Sequence, residues 1–84
     1  MSAPDSARLK AIQQLAWRTV FEQPDSGIAL ANKQLALANR VKDIEAQYEA
    51  YTTLAVGASM KSDHSTALGH LQQGLATAQA MKDR

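Results

Sequence analysis

The sequence of 84 residues contains no cysteine and almost no excess of charge of either sign. Without cysteine the chain has no disulfide framework and no thiolate metal site, which favours a cytoplasmic protein. Nine lysines and arginines are scattered among eight acidic residues, so the net charge is only +1. Nucleic-acid-binding proteins gather many more cations on one face. We therefore expect a cytoplasmic location and no nucleic-acid partner.

Long apolar runs are also lacking. The longest, such as residues 35–38, fall far short of the roughly 20 residues that a membrane-spanning helix needs. Residues 1–6 have neither the basic start nor the apolar core of a signal peptide. These absences predict a soluble intracellular protein without a membrane partner. Hydrophobic residues make up 45% and charged residues 20%, which is typical of a small folded domain.

Short polar turns divide the chain into helical segments. Apolar residues recur at spacings of three and four, as on amphipathic helices, and no segment alternates as a strand would. Asp25 or Ser26 is the predicted cap of the second helix, and Asp43 that of the third. These signals predict one helix that ends near Phe21 and three more at about 26–41, 43–60 and 64–81.

The last stretch of the chain repeats an earlier one at an offset of 40 residues. Residues 76–83 align with residues 36–43, and Leu75 aligns with Leu35. A fixed period in this range is typical of stacked helical hairpins, because each hairpin buries its apolar face against the next. The sequence therefore predicts one domain of two repeats. They cover about 6–42 and 43–83 of a single domain 1–84.

The second repeat has a large residue, leucines and small residues at regular positions on its two helices. They are Tyr51, Leu54, Ala55 and Ala58 on its first helix and Ala67, Leu71, Leu75 and Ala78 on its second. This pattern resembles the tetratricopeptide repeat, whose unit has about 34 residues. Ser62, His64 and Gly74 depart from it, since the family has glycine, tyrosine and alanine there. The longer period is similar to that of extended repeats in bacterial signalling proteins.

The resemblance implies an all-α fold, a right-handed stack of two helix-turn-helix hairpins that forms a four-helix α-solenoid. It also implies a concave groove that binds a peptide or a helix of a partner protein. The residues at the groove positions are Lys10, Gln13, Trp17 and Val20 from the first helix and Glu49, Thr52, Val56 and Ser59 from the third. Only Lys10 suits a clamp for a terminal carboxylate, so we do not expect one. Trp17 suits an apolar or helical ligand, or else it packs between the hairpins.

Few residues favour catalysis. His64 and His70 are six residues apart and do not share a helical face as a metal pair would. The contiguous Ser62-Asp63-His64 cannot form a triad that tertiary folding assembles, and Asp63 is better explained as a cap. Glu45 and Glu49 lie one helical turn apart, and surface solvation explains them more simply than a catalytic pair. We therefore expect a protein that is not an enzyme and uses no metal or cofactor.

The leading hypothesis is a protein-interaction module, the N-terminal part of a larger bacterial regulatory or signalling protein. The chain ends at Arg84, where a further repeat would begin, so we expect the apolar face of the last helix to need a cover. Further repeats supply it, or a second copy does in a homodimer. The alternative function is therefore a small self-associating structural protein. The alternative fold is a closed antiparallel four-helix bundle.

Overall fold

Four α-helices joined by short turns account for the whole of the described chain. The structure is a computed structural model that describes residues 5–83, and within them there is no strand. The helices are α1 (Asp5–Glu22), α2 (Pro24–Val41), α3 (Ile44–Met60) and α4 (His64–Lys82). The predicted all-α class is confirmed, and the predicted helix ends agree with these bounds to within about two residues.

Aspartate side chains begin the third and fourth helices. The carboxylate of Asp43 accepts a hydrogen bond from the backbone N–H of Ala46 at 3.1 Å. Asp63 accepts in the same way from Thr66 at 3.3 Å. Each bond pairs one of the amides that the first turn of a helix leaves free. The predicted cap at Asp43 is confirmed.

The start of the second helix differs from the prediction. Neither Asp25 nor Ser26 caps it, because α2 already begins at Pro24. Proline suits the first helical position, since its fixed φ matches the helix and the amide it lacks would have no partner there. Gln23 precedes it without a side-chain cap, and the Ser26 hydroxyl donates instead to the Gln23 side-chain oxygen at 3.2 Å.

The two turns that precede the capping aspartates have the same backbone geometry. Lys42 and Ser62 both have positive φ, 59° and 61°. In each turn the N–H of the following aspartate bonds a carbonyl five residues earlier, at 2.9 Å for Asp43 and 2.8 Å for Asp63. Each aspartate therefore ends one helix through its backbone and begins the next through its side chain.

The helices pack in order along the chain. α1 contacts α2 and α3, α2 also contacts α3, and α4 contacts α3 alone within residues 5–83. α1 and α3 run in the same direction, since Leu9 lies in one cluster with Ala46 and Val20 lies beside Gly57. Gln34 of α2 donates from its side-chain amide to the Ala46 carbonyl at 3.0 Å. A closed bundle needs contact between the first and fourth helices, and this arrangement has none in the described residues.

Small residues fill much of the interior, and nine large apolar side chains of the described residues are exposed. The buried apolar residues are Leu9, Ala16, Val20, Ala31, Ala38, Ala46, Ala50, Leu54, Ala55, Ala58 and Ala67. Because eight of these are alanine, helix axes can approach one another closely. The exposed large apolar residues are Leu15, Trp17, Phe21, Val41, Tyr48, Met60, Leu68, Leu71 and Leu75.

Two glycines allow the closest helix contacts. A Cβ atom at Gly27 would lie 2.4 Å from Cα of Val20, so α1 and α2 meet there almost backbone to backbone. A Cβ atom at Gly57 would lie 2.6 Å from Cγ1 of Ile28, where α3 meets α2. No side chain fits at the first position unless the helices separate.

Gly27→Ala should therefore destabilise the fold by about 1–3 kcal/mol, because the added methyl group meets backbone atoms of α1 that cannot turn aside. Gly69→Ala is the matched control, since no atom lies within 4 Å of a Cβ atom there. It should stabilise the protein by about 0.5–1 kcal/mol through its higher helix propensity. Urea unfolding followed by circular dichroism measures both changes. Equal effects of the two substitutions would contradict the close contact at Gly27.

Ser62→Gly should stabilise the protein by about 0.5–1 kcal/mol, because glycine adopts the positive φ of this turn without the steric cost that serine bears. Gln72→Gly, at an exposed position inside α4, should instead cost about 0.5–1 kcal/mol. The same urea titration distinguishes the two. Loss of stability in Ser62→Gly would show that the turn does not have this conformation.

Candidate functional site

A groove runs between the parallel helices α1 and α3. Its central cavity has a volume of about 320 Å³, within the range of small-ligand pockets. The residues that line it are Gln13, Gln14 and Trp17 from α1 and Tyr48, Glu49, Thr52 and Thr53 from α3. Helical spacing places these side chains on one face of each helix, since Trp17 follows Gln13 and Gln14 by four and three residues, and Thr52 follows Tyr48 and Glu49 by the same steps. The groove is therefore built on two rigid elements.

The groove continues toward the N-terminal ends of both helices. A second cavity of about 490 Å³ shares Gln13 and Glu49 with the first. The charged residues along it are Lys10 on α1, Asp43 before α3, and Glu45 and Glu49 on α3. One cation thus faces three carboxylates, and this end of the groove is acidic. Such a site attracts a positively charged group rather than a terminal carboxylate.

Glu49 lies where the two cavities meet, and its surroundings change its acidity. Partial burial in the groove raises the pKa of the Glu49 carboxyl above its ordinary value, and the negative charges of Glu45 and Asp43 raise it further. Both causes disfavour the ionised form. A cation bound in the groove would relieve both, because it would neutralise the charge that burial and repulsion penalise.

The aromatic part of the groove comes from Trp17. Its ring packs edge to face against Phe21, with the centroids 4.9 Å apart and the ring planes at 85°. Both rings remain about half exposed, at 45% for Trp17 and 51% for Phe21. Trp17 is therefore not enclosed between the hairpins, the alternative that the sequence left open. Phe21 holds the ring from one side while another side stays open to a ligand.

Most of the predicted groove residues come together. Lys10, Gln13, Trp17, Glu49 and Thr52 all line the groove between α1 and α3. Two others do not belong to it. Val56 and Ser59 line a separate groove between α3 and α4, because their positions on α3 turn away from α1.

Val20 requires a correction. The sequence predicted it in the groove, but its side chain is fully buried. It lies beside Gly27 of α2 and Gly57 of α3, whose lack of side chains leaves the space that the valine fills. Val20 therefore belongs to the core and is not available to a ligand.

Tyr48 was missed by the sequence prediction. Its ring is 39% exposed and borders the central cavity together with Trp17. It lies one helical turn before Thr52, so the spacing that selected Thr52 also places Tyr48 on this face. The repeat motif includes Tyr51 and not Tyr48. Tyr51 packs against the core cluster around Leu54.

Two of the residues considered for catalysis, Asp63 and His70, have other contacts in the structure. Asp63 holds the start of α4, and its hydrogen bonds to Thr66 lower the pKa of its carboxyl. His70 lies beside the Tyr51 ring, with centroids 6.4 Å apart. Within residues 5–83, no group of three histidine, cysteine or acidic side chains is placed to hold a metal ion. None of the four described helices combines the length and apolar character needed to cross a membrane.

Comparisons with models of protein families, with curated proteins and with solved structures found no match to this chain. The resemblance to tetratricopeptide repeats therefore rests on the residues quoted above and stays a prediction.

Glu49→Gln should raise the thermal midpoint of unfolding by a few degrees at pH 7. The pKa of Glu49 is higher in the folded chain than in the unfolded one, so its ionised form opposes folding above that pKa. The gain should disappear as the pH falls through the pKa, because the wild-type side chain is then neutral as well. Circular dichroism melts at pH 7 and pH 3 measure this. A gain of equal size at both values would mean that the charge of Glu49 is not the cause.

Proposed function

We propose that the chain is a protein-interaction module that binds a peptide or a helix in the groove between α1 and α3. The observation that carries the proposal is the placement of two half-exposed aromatic residues, Trp17 and Tyr48, at one cavity of about 320 Å³. Tryptophan and tyrosine are frequent anchors of protein interfaces, because they bury a large area with few rotatable bonds. A partner protein is therefore the favoured class of ligand.

The fold that we propose is the stack of two hairpins of the tetratricopeptide type. Its support is the order of contacts, in which α3 packs against both helices of the first hairpin and α4 against α3 alone. Helix ends recur every 20 residues, at residues 23, 43, 63 and 83. One helix together with its turn is therefore 20 residues long. Two such units make the 40-residue period of the sequence. This regular addition is how a solenoid grows.

Two parts of the groove differ in chemistry, and together they define the ligand. The centre offers aromatic surface from Trp17 and Tyr48. The end toward the helix N-termini offers carboxylates, including the partly desolvated Glu49. We therefore infer a peptide with a large apolar side chain and a lysine or arginine within about one turn of it. The protein would act by holding such a segment, without catalysing a reaction.

This role fits a regulatory or signalling protein of the cytoplasm, the setting that the repeat resemblance implies. Repeat scaffolds of this kind carry their function in surface residues, so the parent protein is identified by its partner and not by the fold. A basic, apolar segment is the chemical description that a search for the partner should use.

Peptides that bind this protein in a selection from a random display library should carry a large apolar residue within about one turn of a lysine or arginine. Trp17→Ala should weaken the binding of such a peptide about tenfold or more, since truncating a central aromatic anchor costs above about 1.4 kcal/mol. The chain has one tryptophan, so binding to the wild type should also shift its fluorescence to shorter wavelength. Titration calorimetry compares the affinities.

Leu15→Ala is the matched control, because Leu15 is 49% exposed on α1 and lines neither cavity of the groove. It should leave the affinity unchanged, and both variants should keep the helical circular dichroism of the wild type. Equal affinities of Trp17→Ala and the wild type would remove Trp17 from the site. Equal losses in both variants would show an effect on the whole helix instead of on the groove.

A further inference from the structure

A second apolar surface lies between α3 and α4, here called the α3–α4 face. Two cavities of about 190 and 320 Å³ open along it. The residues that line these cavities include Tyr48, Thr52, Val56 and Met60 from α3 and His70, Leu71, Leu75 and Ala78 from α4. The exposed Leu68 lies one helical turn before Leu71 and extends the row of leucines on α4. The three leucines are each more than half exposed. We propose that this face binds a second copy of the chain and forms a symmetric dimer.

The molecule itself shows what kind of element covers such a face. The same surface exists on the first repeat, 40 residues earlier, and there α3 packs over it. Met60 corresponds to Val20, and its exposure is 46% against 0% for Val20. Leu71 corresponds to Ala31, with 54% against 0%. The element that fits along the α3–α4 face is therefore an α-helix.

The charge of the face favours a second copy. Residues 64–81 of α4 include no lysine, arginine, aspartate or glutamate, although most of them are exposed. The four residues of the face on α3 are uncharged as well. Two identical faces can therefore meet across a two-fold axis without placing like charges opposite one another, which would oppose association. Depletion of charge is also typical of the centre of an interface.

The shape of the face favours the same occupant. Leu68, Leu71, Leu75 and Ala78 are spaced three, four and three residues apart, the spacing of a coiled-coil seam. When two such helices lie antiparallel, Leu71 meets the partner's Leu75 and Leu68 meets the partner's Ala78. The leucine row of each copy then covers that of the other, and one helix supplies both halves of the contact. This inference does not rest on the peptide groove and is tested without a peptide.

Light scattering over a series of concentrations should give a mass that rises to twice that of the chain. Leu71→Glu and Leu75→Lys should each weaken the dimer about 100-fold or more, because each places two charges in the apolar seam. Mixing the two variants should restore a dimer, since the new carboxylate at position 71 then faces the new ammonium group at position 75. Leu15→Glu, an exposed leucine of α1 outside the face, should leave the dimer intact.

Each outcome decides the proposal, provided that circular dichroism shows every variant to be as helical as the wild type. A wild type that stays monomeric up to about millimolar concentration overturns it and leaves the face to a helix of another protein. A dimer that survives Leu71→Glu but not Leu15→Glu places the contact on another surface. Failure of the mixed variants to pair overturns the antiparallel seam. None of these results depends on whether Trp17 binds a peptide.

Discussion

The close contact of helix backbones at Gly27 and Gly57 is the constraint on which the rest of the structure depends. Val20 fills the space that both glycines leave, so α1, α2 and α3 meet around one buried side chain. The alanines continue this packing along the helices. A core of small residues holds the axes close together, and it leaves little room for large apolar side chains.

Nine large apolar side chains consequently remain exposed and form apolar surfaces. Such side chains would be buried in most small domains, but here Trp17, Phe21 and four of the leucines are about half exposed. An alanine core also removes less apolar area from water than a leucine core would, so it stabilises a short chain less. Covering either apolar surface would add to that stability. The same packing thus explains both a modest core and the apolar surface that stays exposed.

The four helices could be predicted from the sequence because the ends of a helix depend on residues close to it in the chain. The Asp43 carboxylate accepts its hydrogen bond from an amide only three residues later, at Ala46. The helical spacing of the apolar residues can likewise be recognised without knowing the tertiary structure. The prediction of Asp25 or Ser26 as the cap of α2 was wrong because Pro24 can begin a helix without a side-chain cap. The site was harder to predict. Trp17 and Val20 lie three residues apart on α1, and glycines in two other helices decide which of them is buried. A pattern read along one helix does not contain that information.

The ridge formed by Tyr48 and Thr52 separates the two surfaces, since both residues border the cavities on either side of α3. The two sides select a ligand in different ways. Beside α1, the carboxylate of Glu49 is held in a partly dry, negative setting, which favours a ligand that brings a cation. Beside α4 the cavities of the α3–α4 face are lined by no lysine, arginine, aspartate or glutamate, so the fit of apolar side chains and of the His70 ring distinguishes one ligand from another. A basic peptide would find no carboxylate on the α4 side. Conversely, residues 64–81 of α4 contain no lysine or arginine that could pair with the carboxylates on the α1 side. The charge pattern around α3 is therefore the basis on which we propose a different kind of partner for each surface.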